Sequence, residues 1–327
     1  MENTEGKQGK WFLEIDFSKL MDLRVDYVFK LLFGSKDTRF LISLLNAVFA
    51  NKKIPRVIKS LTVIKSSLEK RAKKDKLSIL DIRAQLDDGT TILIEMHLYG
   101  LDDLKYKTIR SWARAYGEEL NESEGYSTQP PVISVSFVNG SLDDGENQKI
   151  HKCCRIMDMD DHTVFTDALE LHYIDMKLFV KTINRNGGIG KCGIQEIMLA
   201  KWLAVITEKD IEDKSIIENI CEEQGEIAMA VSTLARLSED KFKRQAYQKR
   251  QDEIMLYNKR LSDLTLRAEQ AEHREAQEQR RAEQEQRRAE QEQRRAEQEQ
   301  RRADKAESAL AEKDALIAQL KAQLDEK

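Results

Sequence analysis

Residues 79–100, ILDIRAQLDDGTTILIEMHLYG, carry three side chains with chemistry to offer: Asp81, Glu95 and His97. Two apolar runs flank Asp87-Asp88-Gly89, a three-residue connection with glycine last, where a left-handed backbone is wanted. A hairpin closed there pairs Leu86 with Thr90 and sets Asp81 opposite Glu95. Directly opposed Cβ atoms lie about 5 Å apart, and two carboxylates at that distance repel unless a cation lies between them. A hard divalent ion such as Mg2+ is held by one or two carboxylates together with water and phosphate. Glu95 and His97 are two apart on one strand and therefore share a face. Ile79, Leu80 and Ile82 on one side, and Ile92, Leu93, Ile94 and Met96 on the other, make both strands apolar on both faces, as in a sheet interior. Acids placed there need a reason. The alternative is a hairpin whose acidic face is simply solvated, and the spacing alone leaves both open.

The surrounding elements must hold that hairpin. Residues 24–50 predict two helices: Val28, Leu31 and Leu32 recur at helical spacing, Gly34-Ser35 interrupts, and Leu41, Leu44, Leu45 and Val48 resume. Residues 57–64 suit a strand. The basic run EKRAKKDK, 69–76, with Lys70, Arg71, Lys73 and Lys74, is either a solvated loop or a phosphate-contacting one. Residues 102–122 predict an amphipathic helix, PPVISVSFV at 130–138 a buried strand, 139–148 a polar loop, 165–179 a further strand, and 194–245 helix. Gly188, Gly190 and Gly193 fit GxGxxG, but no apolar strand leads into them, so an interdomain loop is expected rather than a dinucleotide site.

Net charge is −4 with a pI near 5.9, averaged over a mixed body and a charge-balanced tail, so composition neither selects nor excludes nucleic acid. The four cysteines, Cys153, Cys154, Cys192 and Cys221, show no CxxC spacing and read as reduced thiols of a cytoplasmic protein. The start lacks the apolar core of a signal peptide, and no run of 18 apolar residues exists, so no membrane partner is expected. No Ser/His/Asp or Cys/His arrangement supports a metal-independent enzyme, and His151, His162 and His172 read as surface or core histidines. Near the C-terminus RRAEQEQ repeats with period seven through Ala282, Ala289, Ala296 and Ala303. The frame extends back to Ile254 and forward to Leu324, with Glu285, Glu292 and Glu299 weakening the middle. Glu283–Arg287, Glu290–Arg294 and Glu297–Arg301 are i,i+4 pairs worth about 0.3 kcal/mol each. A solvated helix and a homo-oligomerisation stalk both fit.

Three segments together resemble a family. DYVFKLLFG at 26–34 with LISLLNAVF at 41–49, LDIRAQLDDGTTILIEMH at 80–97, and YKTIRSWARAYGEEL at 106–120 with the following PPVISVSF are similar, in order and spacing, to the PD-(D/E)XK nuclease family transposases, relatives of the recombination-promoting nucleases. The resemblance covers about 26–180. It implies an α/β, restriction-endonuclease-like mixed sheet flanked by helices; the residue spacing beyond it adds a helical segment and a long C-terminal coiled-coil-like helix. The corresponding division is a polar arm at 1–20, a nuclease-like domain at 21–190, a helical segment at 191–248 and the charged helix at 249–327. It also implies a DNA endonuclease using Mg2+ or Mn2+. On matching positions, Asp81 and Glu95 are the metal ligands, and Asp26 is the first-helix acid, expected in the catalytic set to orient the metal cluster or add a ligand. His97 stands where the wider superfamily has Lys and this branch usually Gln. Arg110 and Tyr116 face the site, and Arg110 or Lys107 holds the scissile phosphate. Two other readings remain: a nuclease fold that binds DNA without cutting, and an interaction protein working through its long helix.

Overall fold

The computed structural model describes residues 15–50, 56–64, 82–98, 103–118, 125, 128–140, 148–191 and 197–325. Two helices come first, α1 Asp26–Phe33 and α2 Arg39–Phe49, followed by β1 Leu61–Ile64, β2 Ile82–Leu86 and β3 Thr91–His97. Helix α3, Leu104–Glu118, leads to β4 Val132–Val138, β5 His151–Met157 and β6 Val164–Asp175. The remainder is helical: α4 Met176–Asn186, α5 Ile197–Ile206, α6 Ser215–Glu223, α7 Gly225–Glu239 and α8 Lys241–Asp325.

The six strands form one mixed sheet in the order β1-β2-β3-β4-β6-β5. β3, β4 and β6 run parallel, and the antiparallel neighbours β2 and β5 lie outside them. All seven residues of β4 and the first six of β3 are buried, as expected of central strands covered on both faces. Ile92, Ile94, Met96, Ile133, Val135 and Phe137 join the main core with α1 and α2. The alternate residues on the other face meet α3: Leu93 and Val132 pack with Ala115, Trp112 and Tyr116, and Val138, Leu171 and Tyr173 pack with Leu104. Trp112 donates from Nε1 to Val132 O at 3.0 Å, which ties α3 to the sheet.

Three local devices set the elements. Gly34 ends α1 where a Cβ would lie 2.8 Å from the Lys30 carbonyl oxygen, so only glycine fits without moving backbone. Gly34→Ala is expected to cost about 1–3 kcal/mol, read as a lowered urea midpoint with an unchanged slope. Asp175 caps α4, its Oδ1 accepting from Leu178 N at 2.8 Å. At the far end Gly187 takes φ +66°, the left-handed stop of a helix C-terminus.

That local structure explains the glycine-rich stretch. Helix α4, not a strand, runs into it, and residues 189–191 form a 3-10 turn. A dinucleotide loop needs the reverse order, strand then turn then helix. Gly193 lies outside the described residues.

Two elements differ from expectation. β5 occupies HKCCRIM, which carries no alternation of strong strand formers. Among the described residues it is an edge strand paired with β6 alone, and burial places little demand on its outer face. The 165–179 segment divides: its first part belongs to β6, and Met176 onward is helix because the Asp175 cap intervenes.

Behind α1 and α2 lies α5, buried all round from Leu199 to Ile206. Trp202 meets the Phe33 ring edge-on at 5.6 Å and donates to Ser43 Oγ at 3.2 Å. Phe17 and Leu20 also enter the core. The chain divides into Met1–Met255 and Leu256–Lys327, the second being the distal part of α8. No helix among the described residues is long and apolar enough to cross a membrane.

Candidate active site

The β2–β3 hairpin has the register its turn chemistry requires. Leu86 N donates to Thr90 O at 2.9 Å, and Gly89 adopts φ +83°. Pairing proceeds through Gln85 with Thr91, Ala84 with Ile92 and Arg83 with Leu93 to Ile82 with Ile94. Asp81, expected opposite Glu95, lies outside the described residues, as do Lys70, Arg71, Lys73 and Lys74 of the basic run.

Glu95 sits near the C-terminal end of central strand β3 and is only 5% exposed. Its Oε2 is 3.0 Å from Nε2 of His97, which is partly exposed. A carboxylate only accepts, so Nε2 is the ring nitrogen that donates to it, and Nδ1 is turned away from Glu95. The register continues this face across the sheet: Glu95 lies beside Ser136 of β4, and Ser136 beside Tyr173 of β6. Ser134 Oγ and Ser136 Oγ are buried with no hydrogen-bond partner among the described residues. Burial pushes the Tyr173 phenol above its usual value; the Thr108 hydroxyl opposes this, and negative charge at Cys154 and Glu95 reinforces it. A strip of polar groups therefore runs under α3 from His97 to Tyr173. Ser136 and Tyr173 were not singled out in the sequence, although their alternation along VISVSFV and LELHYID places them on one face.

The other expected site residues are distributed differently. Leu104, Thr108 and Ala115 form the buried side of α3, while Lys107 and Arg110 are exposed. Arg110 follows Thr108 by two residues, about 200° round the helix, and so points away from the sheet. Tyr116 does face the sheet, stacked on Trp112 with ring centres 5.0 Å apart. Asp26 begins α1, and both its oxygens are taken by Arg250 of α8, at 2.8 and 2.7 Å. That forked pair joins residues 224 apart in sequence. No local pattern announces it.

The opposite face of β6 carries a second buried polar group. Glu170 Oε1 lies 2.6 Å from His172 Nε2, and Arg155 of β5 donates to Oε2. His172, a core histidine as the sequence allowed, is fully buried and meets the Phe49 ring edge-on at 5.2 Å. Burial alone would raise the Glu170 carboxyl, but hydrogen bonds and charge from His172 and Arg155 outweigh it and hold the group at about 2. The folded value lies below the ordinary 4.5, so the carboxylate's contribution is complete above about pH 4.5 and is lost as pH falls toward 2. Melting temperatures of wild type and Glu170→Gln should differ at pH 7, by an amount reflecting about 2–3 kcal/mol, and converge on acidification.

A mixed sheet with parallel central strands, a buried acid on one of them and a helix across that face defines an α/β protein of the restriction-endonuclease-like class. The family model described as PD-(D/E)XK nuclease family transposase matches residues 23–263, and the chain belongs to that family. The match takes in the sheet, helices α1 to α7 and the start of α8. No curated protein and no solved structure matches the chain. Membership suggests nuclease activity on DNA, and PD-(D/E)XK nucleases generally use divalent metals.

Proposed function

We propose that the protein is a divalent-metal-dependent DNA endonuclease that hydrolyses phosphodiester bonds. The observation that carries the reading is Glu95: a carboxylate buried on the central strand of a PD-(D/E)XK-family sheet, held by His97. The donor set fits a hard cation. Glu95 keeps Oε1 for an ion while Oε2 faces His97, and the buried Ser136 hydroxyl beside it adds an oxygen. Asp81 and Glu95 would hold Mg2+ or Mn2+, which supplies a more acidic water and offsets charge on the phosphate.

The chain's own residues do the rest. Glu95 orients the His97 ring, and Nδ1 accepts a proton from the attacking water or aligns it. Neutral imidazole here replaces the positive charge of the superfamily's lysine, so the phosphate's negative charge must be met elsewhere. Lys107, on the flank of α3, and the run with Lys70, Arg71, Lys73 and Lys74 take that role, and Arg110 holds DNA outside the site. Asp26, engaged by Arg250, positions α1 and adds no ligand. DNA as substrate, and thiols at Cys153, Cys154 and Cys221 that form no disulfide among the described residues, support a cytoplasmic location.

The test is supercoiled plasmid incubated with purified protein in Mg2+, in Mn2+ and in EDTA. Nicking or linearisation with metal and none with EDTA is expected. Absence of cleavage in both metals by folded protein that still binds DNA would overturn the reading in favour of a non-cutting nuclease fold.

The tail serves assembly in the same proposal. Leu264, Leu310 and Ile317 occupy core positions of the heptad frame, and each is about half exposed or more in the single chain. Residues 256–327 removed, the protein should sediment as a smaller assembly than the full chain; an unchanged association state would exclude the stalk.

A further inference from the structure

The polar group on the α2 side of the sheet contains one side chain that its charge balance does not require. Arg155, Glu170 and His172 already form a compensated buried network. Cys153 adds a thiol aimed at the same point: Sγ is 3.8 Å from Glu170 Oε1 and 3.9 Å from His172 Nε2. Among the described residues, this is the group of three or more possible metal ligands whose donor atoms converge, all within 4.8 Å of one another. The backbone brings them together. Cys153 of β5 is directly paired with His172 of β6, Arg155 with Glu170, and Glu170 and His172 are alternate residues of one strand.

From this we infer a second metal site, built from Cys153, Glu170 and His172, that takes a borderline-soft divalent transition ion of the Zn2+ kind. Sulfur, imidazole nitrogen and one carboxylate oxygen are the donors such an ion selects, and a hard ion such as Mg2+ avoids thiolate. A tetrahedral ion at ordinary bond lengths separates its ligand atoms by about 3.4–3.6 Å. The two sulfur separations lie a few tenths of an ångström beyond that. The shorter Nε2–Oε1 approach is that of two groups sharing a proton, and it opens when an ion takes the proton's place.

The supporting shell is also present. His172 Nδ1 lies 2.9 Å from His151 Nε2, a partner to which Nδ1–H can donate once Nε2 gives up its proton to the ion. Arg155 occupies the other oxygen of Glu170, which keeps the carboxylate turned and monodentate. Binding releases the Cys153 thiol proton and the one shared by His172 and Glu170, so affinity rises with pH. With three protein ligands a fourth position is left for water or an incoming donor. The site is separate from the proposed nuclease centre: Val135 links His172 to Ile94, on the face opposite Glu95 and Ser136.

Cobalt titration of the reduced full-length chain tests it. One equivalent of Co2+ should produce the near-ultraviolet thiolate-to-cobalt band and the visible bands of a four-coordinate ion. Added Zn2+ should remove both. Cys153→Ser should abolish the thiolate band and weaken binding at least about tenfold. Cys154→Ser, altering the neighbour that points to the other face, should leave the band intact, with thermal melts confirming that both variants fold. Glu95→Gln should also keep it, which separates this site from the nuclease metal whatever becomes of that activity. A wild type with no thiolate–cobalt band, or a band that survives Cys153→Ser, would overturn the inference.

Discussion

Glu95→Gln is expected to reduce metal-dependent plasmid cleavage by at least about a thousandfold, equivalent to about 4 kcal/mol of lost transition-state stabilisation. The substitution keeps the side chain's shape, removes the charge and turns one acceptor oxygen into an NH2 donor. At 5% exposure there is little room for water or a neighbouring acid to stand in for it. The amide is a poor ligand for a hard cation. It also stops favouring the imidazole orientation that leaves Nδ1 as acceptor, so both halves of the proposed chemistry fail together. The melting temperature should barely change, because a buried carboxylate replaced by its isosteric amide loses a desolvation cost along with its hydrogen-bond strength. Rates measured with Mg2+ and Mn2+ over a range of concentration separate weakened metal binding from a lost proton acceptor. Excess metal restores cleavage in the first case only. Cleavage at the wild-type rate by folded Glu95→Gln would end the assignment of this strand as the active centre.

The largest expected change in stability comes from Phe33→Ala, about 3–5 kcal/mol. Phe33 is fully buried and joins α1 to α5. Its ring lies 4.6 Å from that of Phe29 in the same helix and 5.6 Å from Trp202 in α5, and Phe29 in turn reaches Phe137 of β4 at 5.8 Å. This chain of rings connects the helical half of the molecule to the central strand beside Glu95. Removing Phe33 opens a cavity that rigid neighbours close only in part. Urea denaturation followed by tryptophan fluorescence reads the loss directly, since Trp202 borders the cavity. A loss below about 1 kcal/mol would mean that α1 and α5 repack freely, contrary to the close packing described.

The same residue shows how structure and family pattern relate. In DYVFKLLFG the residue read as chemistry is Asp26, yet Phe29, Phe33 and Gly34 are what the fold requires there. Gly34 is needed because the chain turns against the Lys30 carbonyl. Asp26 is held by an arginine of α8.

Much of the core and part of the site are decided by the sequence alone, wherever the deciding interactions are local. The β2–β3 register follows from Asp87-Asp88-Gly89, because a three-residue loop ending in a left-handed glycine permits one pairing, and that pairing sets the face of Glu95 and His97. The central position of β3 and β4 follows from apolar runs that suit burial on both faces, and α1 and α2 from spacing interrupted at Gly34. Other features depend on residues far apart in the chain and carry no periodic signal. Edge strand β5 is stabilised by pairing with β6, not by its own composition. Arg250 finds Asp26 across 224 residues, and Cys153 meets Glu170 and His172 only once two strands are in register. The outward position of Arg110 was settled by which side of α3 could bury Leu104, Thr108 and Ala115 against the sheet. Short-range steric and hydrophobic preferences are written residue by residue, whereas these encounters exist only after the core has closed and long-range pairing has offset its loop entropy.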